Sequence, residues 1–390
     1  MGDFMGDKLP IYADYNASTP VDPAVAEEML PYLGKHFGNA SSKHWYGYKL
    51  REAVEFARIK VANCIGCNPN EIVFTSGGTE SNNLAVKGIA YANRHHGNHI
   101  ITSSVEHGSV LQPCQYLTTQ GFELTVLPVD EYGIVSPDDV RNAIREDTIL
   151  ITIMHANNEV GTIEPIEIIG DIAKELGIYF HTDAAQTIGK IPVNVDDLSV
   201  DLLTIAGHKF YAPKGIGALY IREGTEIDAL IGGNGQEFGL RSGTEAVALI
   251  VGLGKACQLV TGSLSEMSNH TYKLTQRLYE LFVSDIPVIK LNGHPTERVP
   301  NTLNFSFPGV VALDLLTKSP EVAAMPLSEC NDGACKISHV LKAMGIPKNY
   351  ALGAIRFSFG KWTVEDDVDD IVDFISSRYG SLLEKQQRIA

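Results

Sequence analysis

Apolar and polar residues follow one another along this chain in a pattern whose period changes several times. From Leu50 to Ile65 apolar residues recur every three or four positions, which predicts an amphipathic helix that Gly66 ends. Short runs rich in β-branched residues then alternate with helical stretches such as TESNNLAVKGIAYANRHH and IIGDIAKELG. The seven runs are EIVFTS, HIITSSV, ELTVLPV, TILITIMHA, GIYFHTDA, LLTIAGHK and GALYIR. Apolar strands separated by helices predict an α/β domain with a mainly parallel sheet covered on both faces.

The pattern changes after the helical run TEAVALIVGLGKACQLV. A long helix, the strand TLNFSF, the helix ISHVLKAMG, the strand AIRFSFG and an acidic final helix follow. This mixture predicts a smaller α+β domain, completed by the first dozen residues. We therefore expect a large domain at 14–262 and a small domain at 1–13 and 263–390, which suits a chain of 390 residues.

Composition and charge exclude several classes of protein. The formal net charge of -16 leaves no basic surface for a phosphate backbone, so we expect no nucleic-acid partner. We also expect no membrane segment, because no uninterrupted apolar run approaches the roughly 18 residues that a membrane span needs. The acidic start MGDFMGDKLP has no apolar signal region, so the predicted location is cytoplasmic, with a processed organellar form as the alternative.

Two of the six cysteines, Cys64 and Cys67, form a CxxC motif. The motif could be a redox pair or half of a metal site. No second CxxC or histidine cluster supplies the other ligands, and Cys64 continues the apolar face of the predicted helix. We interpret both as packing residues, and the sequence predicts no metal site.

The stretch FTSGGTESNN combines a strand, a glycine pair and a helix that opens at Thr79 and Glu80. Glycines let a backbone approach an anion closely, and a helix N-terminus offers free N–H groups to a phosphate. The stretch matches neither of the common nucleotide motifs, and such a turn is more often only a turn. It is a candidate phosphate site.

Two further residues suggest the chemistry of this candidate site. Asp183 in HTDAAQ ends a predicted strand, where side chains of α/β proteins meet ligands, although it could instead cap a helix. Lys209 in AGHKFYAPKGIGALYI lies among apolar neighbours, which favours imine formation with an aldehyde, whereas Lys214 suits a solvated loop. A phosphate site, an acid for a pyridinium nitrogen and this lysine together predict pyridoxal 5'-phosphate as cofactor.

The sequence resembles the class V aminotransferase family, specifically the cysteine desulfurases and the similar selenocysteine lyases. The shared motifs run from YADYNASTPVDP through SGGTESNN, SSVEHGSV, ANNEVGT, HTDAAQ, GHKFYAPKGIGALYI, LRSGTE and PNTLNFSF to AIRFSFG. The resemblance implies fold type I of the pyridoxal phosphate transferases, with a seven-stranded sheet. It also implies a homodimer that converts L-cysteine to L-alanine through an enzyme persulfide and passes sulfur to a protein acceptor, for iron-sulfur cluster assembly or thiolation. The alternative is a selenocysteine lyase or another carbon-sulfur lyase.

The resemblance also implies roles for individual residues. Lys209 would hold the cofactor and move the substrate's α-proton, Asp183 would pair with the pyridine nitrogen, and His107 would stack on the ring. Gln186 would bond the ring oxygen of the cofactor. Gly78, Thr79 and His208, together with Thr244 from the second subunit, would hold the phosphate. Asn157 would lie beside the cofactor and, with Arg356, would bind the substrate carboxylate. One departure is Ala206, where many relatives have a serine that contacts the phosphate.

The segment MPLSECNDGACKISHV raises the question of which cysteine is the nucleophile. In the family, the thiol on a mobile loop falls six residues before the position of Lys336, which is Cys330. The usual small-residue lead stands instead before Cys335, and Glu329 should disfavour a thiolate at Cys330. Cys330 is the predicted catalytic thiol, with Cys335 as the alternative.

Overall fold

A computed structural model describes residues 9–331 and 334–387, with only the backbone described at 329–331, 334–335 and 385–387. The strands are β1 Ile11–Tyr12, β2 Ile72–Thr75, β3 His99–Ser103, β4 Glu123–Leu127, β5 Thr148–Thr152, β6 Tyr179–Asp183, β7 Leu202–Ala206, β8 Gly217–Ile221, β9 Lys290–Asn292, β10 Thr302–Ser306, β11 Val322–Ala323, β12 Met325–Pro326, β13 Ser328–Asn331, β14 Ala334–Ile337 and β15 Ala354–Ser358. The α-helices are α1 Pro23–Leu33, α2 Trp45–Ile65, α3 Gly78–Ala92, α4 Gly108–Thr118, α5 Pro137–Ala143, α6 Ile166–Leu176, α7 Val247–Asp285, α8 Ala312–Thr317, α9 His339–Ala343, α10 Lys348–Ala351 and α11 Glu365–Gln387.

The seven predicted runs form one sheet in the order β2-β8-β7-β6-β5-β3-β4. Strands β7, β6, β5, β3 and β4 pair in parallel, and β8 runs antiparallel to both of its neighbours, β7 and β2. The prediction of a mainly parallel seven-stranded sheet is therefore confirmed. Parallel strands bring their carboxyl ends to one edge, and this edge is where a ligand site is expected.

Successive residues of the central strands face opposite cores. Leu150 and Leu202 pack with α3 and α4 in one apolar cluster, whereas their neighbours Ile151 and Leu203 pack with α2, α6 and α7 in another. Each of these four side chains is fully buried. Burial of such a side chain contributes about 1.5–3 kcal/mol, so both helical layers are held to these central strands.

A second, antiparallel sheet has the strand order β12-β15-β10-β9 and packs against α11 and the second half of α7. Helix α7 is continuous, with Ile250 and Val260 in the core of the large sheet and Leu274 and Phe282 in the core of the small one. Strand β1 pairs in parallel with β11, and Ile11 joins the second core. The domain limits at residues 13 and 262 stay a prediction.

Helix α7 is the one helix of the described residues that is long and apolar enough to cross a membrane by length and composition alone. Half of its most apolar 18-residue window is buried inside the fold. It packs against α1, α2 and α11. These contacts account for its apolar character, as in the core helix of a globular fold.

Candidate active site

A cavity of about 610 Å³ opens where β5, β6 and β7 end and where α3 and α4 begin. Its lining includes eight of the predicted site residues: Gly78, Thr79, His107, Asp183, Gln186, His208, Lys209 and Arg356. A larger cleft of about 920 Å³, lined by Arg145, Lys174 and Arg222 among others, contains none of them. Because the residues suited to chemistry meet in the smaller cavity, we take that cavity as the candidate active site.

The N-terminus of α3 forms one wall of this cavity. Gly77 has a φ of +150°, a backbone conformation that favours glycine, and a Cβ added at Gly78 would lie 3.1 Å from the Cβ of Ala206. The Glu80 carboxylate accepts a hydrogen bond from the Ser76 N–H and forms an ion pair with Arg241. The glycine pair therefore lets strand β7 pack closely while the first N–H groups of α3 face the cavity region.

Asp183 lies at the carboxyl end of β6 and is only 6% exposed. Its Oδ2 accepts a hydrogen bond of 2.7 Å from Asn82 Nδ2, and its Oδ1 accepts one from the Ala185 N–H. Asn82 Nδ2 also donates to Ser109 Oγ, while Asn82 Oδ1 is buried without a partner. These two donated hydrogen bonds hold the Asp183 side chain in one orientation at the end of β6.

His107 caps α4 and continues the network of Asp183. Its Nδ1 accepts a hydrogen bond from the Ser109 N–H and lies 2.7 Å from Ser109 Oγ. The ring is thereby oriented by the cap at the rim of the cavity, as a stacking role requires.

Lys209 follows strand β7 and its amine lies on the side of the cavity next to the N-terminal segment. Nζ donates to the carbonyl oxygens of Asn16 at 2.6 Å and Ala17 at 2.9 Å. Burial, together with the charge of Arg356, lowers the pKa of Lys209 from 10.5 to about 8. Burial also lowers the pKa of the neighbouring His208 to about 4, so this imidazole is neutral at pH 7.

Arg356 lies in the centre of the small sheet, on strand β15, and is 4% exposed. Its guanidinium donates to the Asp14 carboxylate and, at 2.8 Å, to the Asn158 carbonyl oxygen. Its Nε is buried without a partner. The side chain therefore reaches the cavity from the small sheet with part of its donor capacity unused.

Three predicted site residues lie outside the lining of the cavity or beyond what the structure describes. Asn157 is fully buried, donates to the Val105 carbonyl oxygen and accepts from the backbone N–H groups of Glu159 and Val160. Thr244 is exposed and away from this cavity. The side chain of Cys330 lies outside the described part. Their roles stay predictions.

The backbone at the two candidate thiols is described, and it forms an antiparallel hairpin of β13 and β14. The register pairs Ser328 with Ile337 and Cys330 with Cys335. The hairpin is closed at its base by the hydrogen bond from the Ser338 N–H to the Leu327 carbonyl oxygen. Both cysteines are therefore equally far from the base of the hairpin.

The CxxC cysteines belong to the core of the large sheet. Cys64 and Cys67 are free thiols that pack against the apolar cluster around α2 and α7, and Gly66 ends α2 in a left-handed conformation. Burial raises the pKa of Cys67 to about 12. These observations support the interpretation of both as packing residues.

Three residues that contact predicted site residues were not predicted from the sequence: Asn82, Asp14 and Lys190. Asn82 is one helical turn inside α3, four residues after Gly78, and this spacing could have placed it beside the cavity. Asp14 and Lys190 have no such local signal. The Asp14 carboxylate accepts a hydrogen bond from Arg356, which is distant in the sequence, and Lys190 Nζ donates to Gln186 Oε1 at 2.6 Å.

Comparison with known proteins identifies the family of this chain. The class-V aminotransferase family model matches residues 11–371. A protein of Methanosarcina thermophila called cysteine desulfurase IscS is 51% identical over 367 residues, which cover 94% of this chain and 91% of that protein. A solved structure called NifS-like protein has a TM-score of 0.89 at 38% identity and covers 95% of this chain and 99% of that one. Another, SspA in complex with cysteine, has a TM-score of 0.78 at 38% identity over 90% of this chain and 99% of that one.

The chain belongs to the class-V aminotransferase family, whose members are pyridoxal phosphate enzymes. Within it the chain groups with the cysteine desulfurases, as the relative from Methanosarcina thermophila shows. The family and the fold predicted from the motifs are both confirmed.

Proposed function

We propose that this protein is a cysteine desulfurase that moves the sulfur of L-cysteine to its own thiol and releases L-alanine. The observation that supports this most is the convergence of Lys209, Asp183 and the α3 N-terminus in one cavity, with the Cys330–Cys335 hairpin in the same chain. The reaction balances: the enzyme thiol and L-cysteine become the enzyme persulfide and L-alanine. The persulfide then passes its outer sulfur to a protein acceptor.

The residues of the cavity fit pyridoxal phosphate. The amine of Lys209 would hold its aldehyde carbon, the Asp183 carboxylate would face the ring nitrogen, and the N-terminus of α3 at Gly78 and Thr79 would hold the phosphate with His208. The unpartnered Asn82 Oδ1 and Arg356 Nε are consistent with a polar group in this space. When bound, the cofactor supplies an electron sink for the carbon bonds of the substrate.

Three side chains of the protein would carry out the remaining steps of the reaction. Lys209, whose amine loses its proton at about pH 8, takes and returns the α-proton of the substrate. Arg356 binds the substrate carboxylate through its guanidinium. Cys330, as thiolate, attacks the substrate sulfur, and the carbon-sulfur bond breaks. The proposed reaction requires that this thiol, on the β13–β14 hairpin, meet both the cavity and an external acceptor.

The proposed setting is a cytoplasmic homodimer that supplies iron-sulfur cluster assembly or thiolation. A group of exposed aromatic side chains supports the dimer, because exposed apolar patches mark interaction surfaces. Trp45 and Phe37 each contact the ring of Tyr46, and all three are at least half exposed. A second subunit is the proposed occupant of this patch, and Thr244 would reach the partner's phosphate site.

The test is incubation of the purified protein with pyridoxal phosphate and L-cysteine, with alanine and sulfide measured together in the presence of a thiol reductant. Equal amounts of both products are expected, and Lys209→Ala should give neither. Alanine that needs added keto acid would indicate a transaminase instead. Turnover of selenocysteine with none of cysteine would favour a selenocysteine lyase.

A further inference from the structure

Lys190 is a buried lysine for which the proposed reaction has no use. It is 8% exposed, lies four residues after Gln186 and contacts that residue, which lines the cavity. Burial lowers its pKa well below the usual value, and the positive charges of Lys209 and Arg356 act in the same direction. Burial of a lysine in such a place lowers the free energy of unfolding, so we ask what its contacts do.

The contacts of Lys190 are two side-chain amide oxygens. Its Nζ donates to Gln186 Oε1 at 2.6 Å and to Asn16 Oδ1 at 2.8 Å. A protonated lysine only donates, and a neutral one still has two N–H groups for these two oxygens. The protonated lysine therefore holds the oxygen of Gln186 toward it, whereas the lone pair of a neutral lysine can also accept from the Gln186 amide.

The orientation of Asn16 is set independently of Lys190. Asn16 Nδ2 donates to the Asn158 carbonyl oxygen and to Thr302 Oγ1, and Asn301 Nδ2 donates to Asn16 Oδ1. A carbonyl oxygen can only accept, so Asn16 must present its Oδ1 to Lys190. Lys190 is thus held at one end by a fixed acceptor.

The amide nitrogen of Gln186 then faces away from Lys190. One of its two N–H groups donates to the Asn16 carbonyl oxygen at 3.1 Å. The other N–H is left for a ligand, because Gln186 lines the cavity beside Asp183 and Lys209. A flipped amide would bring an oxygen to this place and would repel an anionic oxygen.

We propose that Lys190 is a positioning residue that holds the Gln186 amide with an N–H, and not the oxygen, toward the ring oxygen of the cofactor. The inference rests on the proposed function, and it adds a residue and a direction to the contact expected of Gln186. It acts through Gln186 and requires no contact between Lys190 and the cofactor. The consequence is a more acidic cofactor, since a donated hydrogen bond stabilises the deprotonated ring oxygen.

The experiment is a pH titration of the visible absorption of the bound cofactor in the full-length protein. Lys190→Met cannot donate, and it should raise the titration midpoint by about one pH unit, the size of a hydrogen bond to a charged group. Gln186→Ala should raise it similarly. The double variant Lys190→Met/Gln186→Ala should shift no further than Gln186→Ala alone. The other charged groups at this wall, Asp183, Lys209 and Arg356, are unchanged in these variants.

A matched control is Lys174→Met, an exposed lysine on α6 outside the cavity, whose midpoint should equal that of the wild type. An unchanged midpoint in Lys190→Met overturns the inference. Additive shifts in the double variant also overturn it, because they mean that Lys190 acts by its charge and not through Gln186. If Lys190→Met does not fold, the smaller apolar Lys190→Leu provides the same comparison. A wild type that gains no visible band with pyridoxal phosphate would instead reject the proposed function.

Discussion

At the scale of the residue, the main effect of the fold on Lys209 is on its proton affinity. Burial and the nearby Arg356 lower its pKa from 10.5 to about 8. Each unit changes the neutral fraction tenfold, so the neutral amine at pH 7 is roughly a few hundred times more abundant than in an exposed lysine. The nucleophile for an aldehyde is the neutral amine, and the fold therefore prepares this residue for imine chemistry.

The first prediction concerns the uptake of pyridoxal phosphate by the cofactor-free protein. The uptake rate should rise with pH through a midpoint near the Lys209 pKa of about 8, because the amine loses its proton there. In Arg356→Gln the midpoint should move upward, since the guanidinium is one of the groups that lowers this pKa. Stopped-flow absorbance across a pH series measures both midpoints.

The same experiment has a chemical control. Borohydride should trap the cofactor on the wild-type chain and on Lys214→Ala, but not on Lys209→Ala. A trapped cofactor on Lys209→Ala would show that another lysine holds it. An uptake rate that does not change between pH 6 and 10 would contradict the shifted amine.

At the scale of the element, the β13–β14 hairpin changes the comparison of the two cysteines. Chain length alone suggests that Cys335, close to the start of α9, has less reach than Cys330. The register instead pairs Cys330 with Cys335, so both lie at the same step along the hairpin. The base of the hairpin is attached to the loops that follow β3 and β5, because His339 Nε2 lies 3.0 Å from the Glu106 carbonyl oxygen and Ser338 Oγ contacts the Glu159 carboxylate.

The second prediction is that Cys330 carries the persulfide, on the strength of its family spacing from α9. Cys330→Ser should abolish sulfide release from cysteine and leave the absorption of the bound cofactor unchanged. Cys335→Ser should remain largely active. Peptide mass spectrometry after a pulse of cysteine locates the added sulfur. If the sulfur lies on Cys335 while Cys330→Ser still turns over, the assignment is wrong.

The third prediction concerns an ion pair that joins α2 to the segment before α7. Arg58 and Glu237 form a bidentate pair with side chains 3% and 6% exposed, and the Phe74 N–H donates to Glu237. Glu237→Gln would remove the buried counter-charge of Arg58 and leave it only the half-exposed Glu55 carboxylate, 3.3 Å from its Nε. The free energy of unfolding should fall by about 3 kcal/mol, the usual cost of breaking a buried pair. Urea unfolding at fixed protein concentration measures it.

The matched control for this pair is Glu175→Gln, which breaks the exposed pair of Arg141 and Glu175. Its effect should be less than about 1 kcal/mol, because exposed ion pairs are screened by water. Equal losses in Glu237→Gln and Glu175→Gln would contradict a structural role for the buried pair. The backbone at Glu237 and Phe238 also has positive φ values of 47° and 60°, which the buried contacts of Glu237 help to hold.

At the scale of the whole molecule, the question is how many chains make one enzyme. Thr244 is exposed and outside the cavity of its own chain, and the aromatic patch of Phe37, Trp45 and Tyr46 is open to solvent. A closed two-fold dimer would cover such a patch on both subunits at once. The family resemblance implies that such a dimer brings Thr244 to the phosphate site of the partner, and this contact stays a proposal.

The fourth prediction is that the protein is a homodimer in solution, measured by light scattering. Phe37→Glu combined with Trp45→Glu should shift it toward monomer and weaken the retention of the cofactor, since a charge would be buried in the interface. Leu176→Glu, at an exposed apolar position on α6, should leave the dimer intact. A wild-type monomer with full cofactor occupancy and turnover would reject the dimer.

The pattern of the sequence was enough to predict the seven strands of the large sheet and two residues, Asp183 and Lys209, that line one cavity. The seven runs became the seven strands, and Gly66 ended α2, because apolar periodicity and glycine conformation are local properties. Asp183 and Lys209 were found because the ends of parallel strands converge on one edge of a sheet. The family motifs added roles that no spacing could supply.

Only the tertiary structure decided which side chains hold these residues in place. Asn82 lies 101 positions from Asp183, Asp14 lies 342 from Arg356, and Asn16 lies 174 from Lys190. Hydrogen bonds between such distant residues leave no periodic signal in the chain, and the same residue types occur elsewhere as ordinary surface groups. The hairpin register of Cys330 and Cys335 was likewise not readable from their spacing, since register depends on how the turn and the flanking strands pair.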